Sequence, residues 1–276
     1  MVGMDHVANE VDGLIAEAIV SRQRMEQGLP VNQATNHLIF AGGPGTGKTT
    51  VARDVASIYH ALGLLPTDKF VEASRADLVG QYTGETAIKT RNLLKQAKGG
   101  VLFIDEAYAL KHGEQDLYGQ EAIDELLTEA ENKRGETVII LAGYPQEMEG
   151  FLNTNPGLRR RFPNRLHFPN YDFPSLKKIM SGMLKSGQYK VPDRAAKAAL
   201  DMGIQRVASN PQSGNAGDVR NLYERVAREQ ARRLASEPHA DRQLQVITES
   251  DVMRALSHQP DVEERPRRKK GALVKA

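Results

Sequence analysis

The sequence GGPGTGKT at residues 42–49 constrains the fold of this chain more than any other feature. It follows an apolar run at 37–41 and precedes a helical pattern of apolar residues at 49–62, the context that a phosphate-binding loop requires. The glycines of such a loop let backbone N–H groups turn towards phosphate oxygens, which also meet the positive end of the following helix. Lys48 would add a point charge, and Thr49 would supply a hydroxyl ligand for Mg²⁺. The predicted phosphate-binding residues are Gly43, Pro44, Gly45, Thr46, Gly47, Lys48, Thr49 and Thr50. The alternative is a glycine-rich turn that binds nothing.

Short apolar runs alternate with helical patterns through the first two thirds of the chain. This alternation predicts an α/β fold with a mainly parallel sheet covered by helices on both faces. The runs lie at 37–41, 70–73, 101–104, 138–142 and 165–168. After residue 171 the strand pattern almost disappears, and helices are predicted at about 172–187, 193–209, 218–235 and 251–257. We therefore predict an α/β domain at 1–170, a helical domain at 171–259 and a basic tail at 260–276.

Two acidic residues follow the most apolar of these runs. The sequence VLFIDE at 101–106 predicts a buried parallel strand, which would deliver Asp105 and Glu106 to the carboxyl edge of the sheet beside the phosphate loop. Asp105 is the candidate for holding Mg²⁺, and Glu106 is the candidate for orienting and activating a water molecule. On its own, an acidic pair after a strand is more often a helix N-terminus. Together with the phosphate loop, the pair favours nucleotide hydrolysis over a small-molecule kinase.

Composition excludes several other classes of protein. The chain has no cysteine, which rules out disulfides, thiolate zinc sites and cysteine nucleophiles and is compatible with the cytoplasm, where we expect it. Apolar runs are too short for a membrane span, and 1–10 lacks the basic start and apolar stretch of a signal peptide. Residues 265–276 contain six basic residues and no acidic one. They raise the net charge from −4 for residues 1–264 to +2 for the whole chain. Such a short basic terminus is more often disordered than a nucleic-acid contact, so a nucleic-acid partner is not expected.

Several longer motifs resemble those of AAA+ ATPases. Within that superfamily the chain is similar to the subgroup that contains the red-type Rubisco activase CbbX, the stage V sporulation protein K and the EccA ATPase of type VII secretion. The matching motifs are LVGQYTGET at 78–86, GVLFIDEAYAL at 100–110, YGQEAIDELL at 118–127, NPGLRRRF at 155–162 and GNAGDVRN at 214–221. The resemblance implies a RecA-like α/β domain with a helical lid, bound ATP and Mg²⁺, and a homo-oligomeric ring, which we expect to be a hexamer. It also implies a protein client, whose identity the motifs do not give.

The resemblance assigns roles to further residues of this sequence. Arg161 falls at the position of an arginine finger that reaches a neighbouring subunit's nucleotide, with Arg159 as a second candidate. The catalytic set is then Glu106, Lys48, Arg161 and Arg159. Tyr82 falls on a pore loop that grips polypeptide, and Val2 and Gly3 fall where the family begins its adenine pocket. The alternatives are a solvated basic turn for the arginines and an ordinary loop residue for Tyr82.

Two positions depart from the family pattern. Gly217 stands where the lid normally carries an arginine that contacts ATP, and Arg220 on the same helix is a candidate replacement or an ordinary surface residue. Tyr144 stands near the usual position of a polar γ-phosphate sensor and is a doubtful substitute. The leading hypothesis is a ring ATPase that remodels a protein client. The alternatives are a slow-turnover, ATP-dependent assembly scaffold and a nucleic-acid motor. Only the basic tail supports the nucleic-acid motor.

Overall fold

The structure is a computed structural model that describes residues 2–30, 36–82, 84–111, 113, 115–132, 136–236 and 243–257. The chain divides into two compact units. The first comprises Met1–Asp172 together with the short segment Gln212–Ala216, and the second comprises Phe173–Pro211 and Gly217–Ala276. The domain boundaries at 170 and 259 stay predictions. The tail at 260–276 lies outside the described residues.

The first unit is a parallel sheet flanked by helices. Its strands are β1 (Leu38–Gly42), β2 (Phe70–Ala73), β3 (Val101–Ile104), β4 (Val138–Gly143) and β5 (Asn164–Phe168). Its helices are α1 (Asp5–Glu26), α2 (Lys48–Ala61), α3 (Arg75–Leu78), α4 (Glu85–Ala97), α5 (Leu117–Asn132), α6 (Pro145–Asn153) and α7 (Pro156–Arg161), with a 3₁₀ turn at Ala107–Leu110. The predicted fold class is confirmed.

Strand order places β1 between β4 and β5, so the loop after β1 begins among the carboxyl ends of the strands and not at an outer strand. Within the described residues the order is β2-β3-β4-β1-β5, and every neighbouring pair is parallel. All residues of β3 and β4 are buried, because helices cover both faces of the sheet. Alternate side chains of β3 enter opposite cores: Val101 and Phe103 pack with α2, whereas Leu102 and Ile104 pack with α5. The carboxyl ends of β1, β3 and β4 therefore meet at a common edge.

The second unit is helical in its described residues. It contains α8 (Phe173–Ser186), α9 (Arg194–Ser209), all but the first residue of α10 (Ala216–Ser236), and α11 (Glu249–Ser257). Asp251 in α11 is 1% exposed and forms a bidentate ion pair with Arg233 of α10, at 2.9 and 3.0 Å. Burial alone would raise the pKa of Asp251, but hydrogen bonds from Arg233 and Thr248 outweigh it and lower that pKa. The pair ties the last described helix to α10.

None of the described helices combines the length and the apolar character that crossing a membrane would require.

Candidate functional site

The phosphate loop connects β1 to α2, as its sequence predicts. β1 ends at Gly42 and α2 begins at Lys48. Gly45 and Gly47 have φ angles of 64° and 91°, in the left-handed region that glycine adopts without strain. Thr46 is fully buried and its hydroxyl donates to the carbonyl oxygen of Gly43 at 2.8 Å. Thr49 is half-buried in the first turn of α2, and Thr50 beside it is exposed.

Lys48 folds back over its own loop. Its ammonium group donates to the carbonyl oxygens of Gly42 and Gly43, at 2.9 and 2.7 Å. Burial lowers the pKa of Lys48, while the nearby carboxylates of Asp105 and Glu106 act in the opposite direction. The predicted lysine and the predicted acids therefore lie within electrostatic reach of one another.

The two acids follow β3 in different backbone conformations. The N–H of Asp105 donates to the carbonyl of Ala73 at 3.0 Å, which extends the sheet pairing by one residue. The Oδ1 atom of Asp105 accepts the N–H of Glu106 at 3.0 Å. Glu106 has a φ of 48°, a left-handed conformation that costs a residue with a side chain of the order of 1–3 kcal/mol. The chain thus turns sharply at Glu106, directly after the strand and Asp105.

Tyr108 is a residue whose relation to Glu106 sequence analysis missed. Burial raises the pKa of the Tyr108 phenol, and the charge of Glu106 and a side-chain hydrogen bond to it raise that pKa further. Gly143 at the end of β4 makes room for the ring, since a Cβ there would lie 2.7 Å from Tyr108 Cδ1. The ring of Tyr144 lies 6.1 Å from that of Tyr108. The sequence DEAY shows that Tyr108 is only two residues from Glu106. It does not show that the 3₁₀ turn brings the two side chains into contact.

These residues fit a nucleoside triphosphate with Mg²⁺. The left-handed glycines and the start of α2 are features that bind phosphate through backbone N–H groups, and Lys48 supplies the positive charge. Thr49 would offer a hydroxyl and Asp105 a carboxylate to Mg²⁺, which prefers oxygen ligands and retains several waters. Glu106 would remain available for a water molecule.

Arg161 and Arg159 lie on α7 and pair with acidic residues of α5 and α6. α7 begins after Asn155, whose side chain accepts the N–H of Gly157 at 2.8 Å and caps the helix. The guanidinium of Arg161 forms an ion pair with Glu131 at the end of α5, at 3.0 Å, beside a cavity of about 340 Å³.

The neighbouring arginines differ from Arg161 in their contacts. Arg159 contacts Glu149 at 3.0 Å and Asn153 at 2.5 Å, and Glu149 also accepts from Arg165. Arg160 is exposed. Arg161 thus pairs with Glu131 of α5, whereas Arg159 shares the carboxylate of Glu149 with Arg165.

Tyr82 projects from an ordered turn before α4. Its side chain is 69% exposed. The carboxylate of Glu85 accepts the N–H groups of Gln81 and Tyr82 at 3.0 and 3.3 Å, and the N–H of Gly80 donates to Thr86 at 2.9 Å. Thr83, the middle residue of the predicted pore motif, lies outside the described residues. The contacts fix the backbone and leave the aromatic ring in solvent.

The remaining predicted residues lie at the chain start and in the second unit. Val2 is exposed, Gly3 has a φ of 64°, and the next residue, Met4, is buried in the core against β1 and β5 side chains. Gly217 and Arg220 belong to α10, and both are exposed. A Cβ at Gly217 would have no atom within 4 Å, so packing does not require glycine there.

Comparison with known proteins identifies the family. The family described as "ATPase family associated with various cellular activities (AAA)" matches residues 38–170, and "AAA lid domain" matches residues 174–262. Stage V sporulation protein K of Bacillus subtilis is 42% identical over 236 residues, covering 85% of this chain and 73% of that protein. CbbX of Cereibacter sphaeroides is 40% identical over 257 residues, covering 91% of this chain and 82% of that protein. The chain belongs to the AAA ATPase family.

A third relative is much longer than this AAA ATPase. EccA3, an ESX-3 secretion system protein of Mycolicibacterium smegmatis, is 42% identical over 274 residues, but the match spans only 45% of its length. Among solved structures, two variants of Thermotoga maritima RuvB match with TM-scores of 0.60 and 0.62, at 20% and 19% identity, each over 93% of this chain and 70% of theirs. The RuvB likeness shows the fold. The resemblance to the subgroup is confirmed, and family membership supports ATPase activity and nucleotide binding.

Proposed function

We propose that this chain is a ring-forming, Mg²⁺-dependent ATPase that couples hydrolysis to the remodelling of a protein client. The observation that supports the proposal is that the first unit carries both a phosphate loop with adjacent acids and, on α7, an arginine at the position of an arginine finger. The phosphate loop, Asp105 and Glu106 would form one half of a shared site, and Arg161 would form the other. Arg161 belongs to a cavity lined by α5, α7 and the turn before α7, and it is held there by Glu131.

The chemistry follows from the residues at each half. Lys48 and the loop N–H groups bind the β- and γ-phosphates, and Glu106 orients the attacking water and accepts its proton. The water oxygen forms a bond to the γ-phosphorus as the bond to the ADP oxygen breaks. Mg²⁺, when bound, would neutralise charge on the phosphate oxygens. Arg161 of the adjoining subunit would stabilise the negative charge on the transferred group, a contribution worth about 10³ to 10⁵ in rate.

The exposed ring of Tyr82 supports contact with a polypeptide. The side chain is 69% exposed, and the hydrogen bonds from the N–H groups of Gln81 and Tyr82 to Glu85 hold the backbone of the turn from which it extends, so the ring is available to a partner. Six copies of such a loop around a ring axis would present a collar of tyrosines. We expect the protein to act in the cytoplasm.

Absence of cysteine from the sequence allows a direct test of the ring. We would introduce a single cysteine as Tyr82→Cys into the Glu106→Gln background, and as Met202→Cys into the same background as a control. Met202 is 51% exposed but lies on α9 of the second unit. With ATP, a short bismaleimide should crosslink Tyr82→Cys chains into covalent dimers and leave Met202→Cys chains monomeric. Equal crosslinking of both, or none at position 82, would contradict the pore assignment.

A slow assembly scaffold is the second candidate, and Gly217 is the observation that favours it. An arginine at this lid position would add a charge-assisted contact to bound phosphates, and glycine cannot. The distinguishing measurement is ATP turnover with and without an unfolded probe protein such as casein. Stimulation that requires Tyr82 supports remodelling, whereas slow turnover that is unaffected by casein and accompanies stable assembly supports the scaffold.

A further inference from the structure

The short segment Gln212–Ala216 lies against the phosphate loop. It groups with the first unit although the chain on either side of it belongs to the second. The N–H of Ala216 donates to the carbonyl oxygen of Gly45 at 3.2 Å, and the side-chain amide of Asn215 donates to the carbonyl oxygen of Pro44 at 3.1 Å. Two consecutive carbonyls of the loop are therefore held by two consecutive residues of this segment.

Both polar atoms of the Asn215 side chain have hydrogen-bond partners. Asn215 is 1% exposed, and its Nδ2 atom also donates to Asn170 Oδ1 at 3.0 Å and to the carbonyl of Ser213 at 3.1 Å. Its Oδ1 atom accepts the backbone N–H of Tyr171 at 2.9 Å. Because a backbone N–H can only donate, this contact fixes which end of the amide is oxygen and which is nitrogen.

The backbone of Asn215 is also specialised. Its φ of 52° lies in the left-handed region, which asparagine tolerates better than most residues that carry a side chain. The hydroxyl of Ser213 accepts the N–H of Asn215 at 2.9 Å and supports this turn. Because Asn215 is buried and its polar groups are hydrogen-bonded, its contact with the loop is a specific feature of the fold.

Peptide geometry shows what this contact does to the loop. In a planar trans peptide the C=O of one residue and the N–H of the next point in opposite directions. Holding the Pro44 carbonyl towards Asn215 therefore directs the N–H of Gly45 away from Asn215. Holding the Gly45 carbonyl towards the Ala216 N–H does the same for the N–H of Thr46. Both are N–H groups of the loop that the proposed function assigns to phosphate.

We propose that Asn215 is a positioning residue of the phosphate loop, and that it links nucleotide binding to the start of α10. The inference rests on the proposed function, because it requires that the loop binds nucleotide. Asn215 acts through backbone carbonyls and brings no charge, so its role differs from that of the lid arginine which Gly217 replaces. By linkage, a nucleotide that favours the held loop also favours the held segment, which α10 continues from Ala216.

Two variants separate the contacts of Asn215. Asn215→Gly removes the side chain and keeps the left-handed backbone without strain. Asn215→Asp keeps an acceptor for the Tyr171 N–H but loses the donors to Pro44, Asn170 and Ser213, and it adds a buried negative charge. The matched control is Thr90→Val, which removes another buried side-chain donor to a backbone carbonyl, the 3.1 Å bond from Thr90 to Leu78, away from the phosphate loop.

We expect Asn215→Gly to bind ADP and a slowly hydrolysed ATP analogue more weakly, by at least about 2- to 12-fold, the range for one hydrogen bond. Asn215→Asp should lose at least as much affinity, because it also buries a negative charge beside the phosphate loop. KM should rise by a similar factor while kcat changes less, since the loop acts on binding. Thr90→Val should lower thermal stability without changing nucleotide affinity. In the unmodified chain, nucleotide should slow hydrogen exchange of a peptide covering 212–222, and this protection should be lost in Asn215→Gly.

The outcomes separate the two proposals. If the unmodified chain binds no nucleotide, the proposed function fails and the role of Asn215 fails with it. If the unmodified chain binds nucleotide and both Asn215 variants bind it equally well, only the positioning role is overturned. A loss of affinity in Thr90→Val equal to that in Asn215→Gly would show a general effect of stability and would also overturn it.

Discussion

The ion pair between Arg161 and Glu131 makes the arginine-finger hypothesis quantitative. If Arg161 completes a neighbour's site, it must leave Glu131, and the strength of that pair sets the cost of leaving. The perturbations are Arg161→Ala, which removes the finger, and Glu131→Gln, which removes its resting partner. Arg161→Ala should lower ATP turnover by orders of magnitude, whereas Glu131→Gln should not lower it.

The magnitude follows from exposure of the pair. The side chains of Arg161 and Glu131 are 28% and 43% exposed, and their N–O distance is 3.0 Å. Pairs of this kind contribute about 0.2 to 1 kcal/mol. Releasing Arg161 therefore changes its availability by about fivefold at most, so Glu131→Gln should raise turnover slightly or leave it unchanged. Loss of the guanidinium should lower turnover by about 10³ or more.

The assay is steady-state ATP hydrolysis measured across protein concentration. A finger supplied by another subunit makes turnover per chain rise with concentration as subunits associate. Mixing Arg161→Ala with Glu106→Gln should partly restore activity, because some interfaces then pair an intact Arg161 with an intact Glu106. Nucleotide affinity of Arg161→Ala should stay close to that of the unmodified chain.

Three results would refute this reasoning. Turnover of Arg161→Ala within tenfold of the unmodified rate would show that the guanidinium is not required. A loss in Glu131→Gln as large as that in Arg161→Ala would show that the ion pair itself is the functional arrangement. Full turnover per chain at concentrations where the protein is monomeric would show that no neighbour is needed.

Three further predictions concern the loop, the lid position and the second unit. Lys48→Ala should abolish nucleotide binding, whereas Glu106→Gln should retain it and nearly stop phosphate release; equal loss of affinity in both would contradict the role of Glu106. Gly217→Arg should tighten ATP binding and shift sedimentation towards larger assemblies, and an unchanged profile would exclude this position as a limit on assembly. Asp251→Asn should destabilise the second unit by about 3 to 5 kcal/mol in thermal unfolding. Because the pKa of Asp251 is lowered, its stabilisation should be present above the ordinary carboxylate pKa of 3.8 and lost as pH falls through the lowered value, so a pH-independent stability would argue against the pair.

Part of the fold was predictable because β3 and β4 are wholly buried and β1 nearly so. Continuous apolar runs predicted β1, β3 and β4 to within about two residues, and the glycine-rich loop predicted the start of α2. The order of the strands was not predictable in the same way, since it depends on pairing between distant segments. α1 was also missed: it buries only Val7 and Val11, so its apolar pattern is weak.

The candidate site was predictable where its chemistry is local in sequence. The phosphate-binding residues form one contiguous motif, and the acidic pair follows one strand. Asn215 could not be found in this way, because it lies 171 residues from Pro44 and its role depends on the folded contact. The left-handed turn at Glu106 is likewise a consequence of tertiary structure, which overrides the preference of glutamate for other backbone conformations.

The carbonyls of the phosphate loop divide into two groups by the donors that hold them. Pro44 and Gly45 are held by Asn215 and Ala216, which a nucleotide need not displace. Gly42 and Gly43 are held by the ammonium of Lys48, which bound phosphate would draw away. Releasing the Gly43 carbonyl misdirects no phosphate donor, because the next residue is Pro44 and proline has no N–H. The hydroxyl of Thr46 also continues to hold that carbonyl. If the loop binds nucleotide as proposed, we therefore expect Lys48 to turn to the nucleotide while the N–H groups of Gly45 and Thr46 keep their direction.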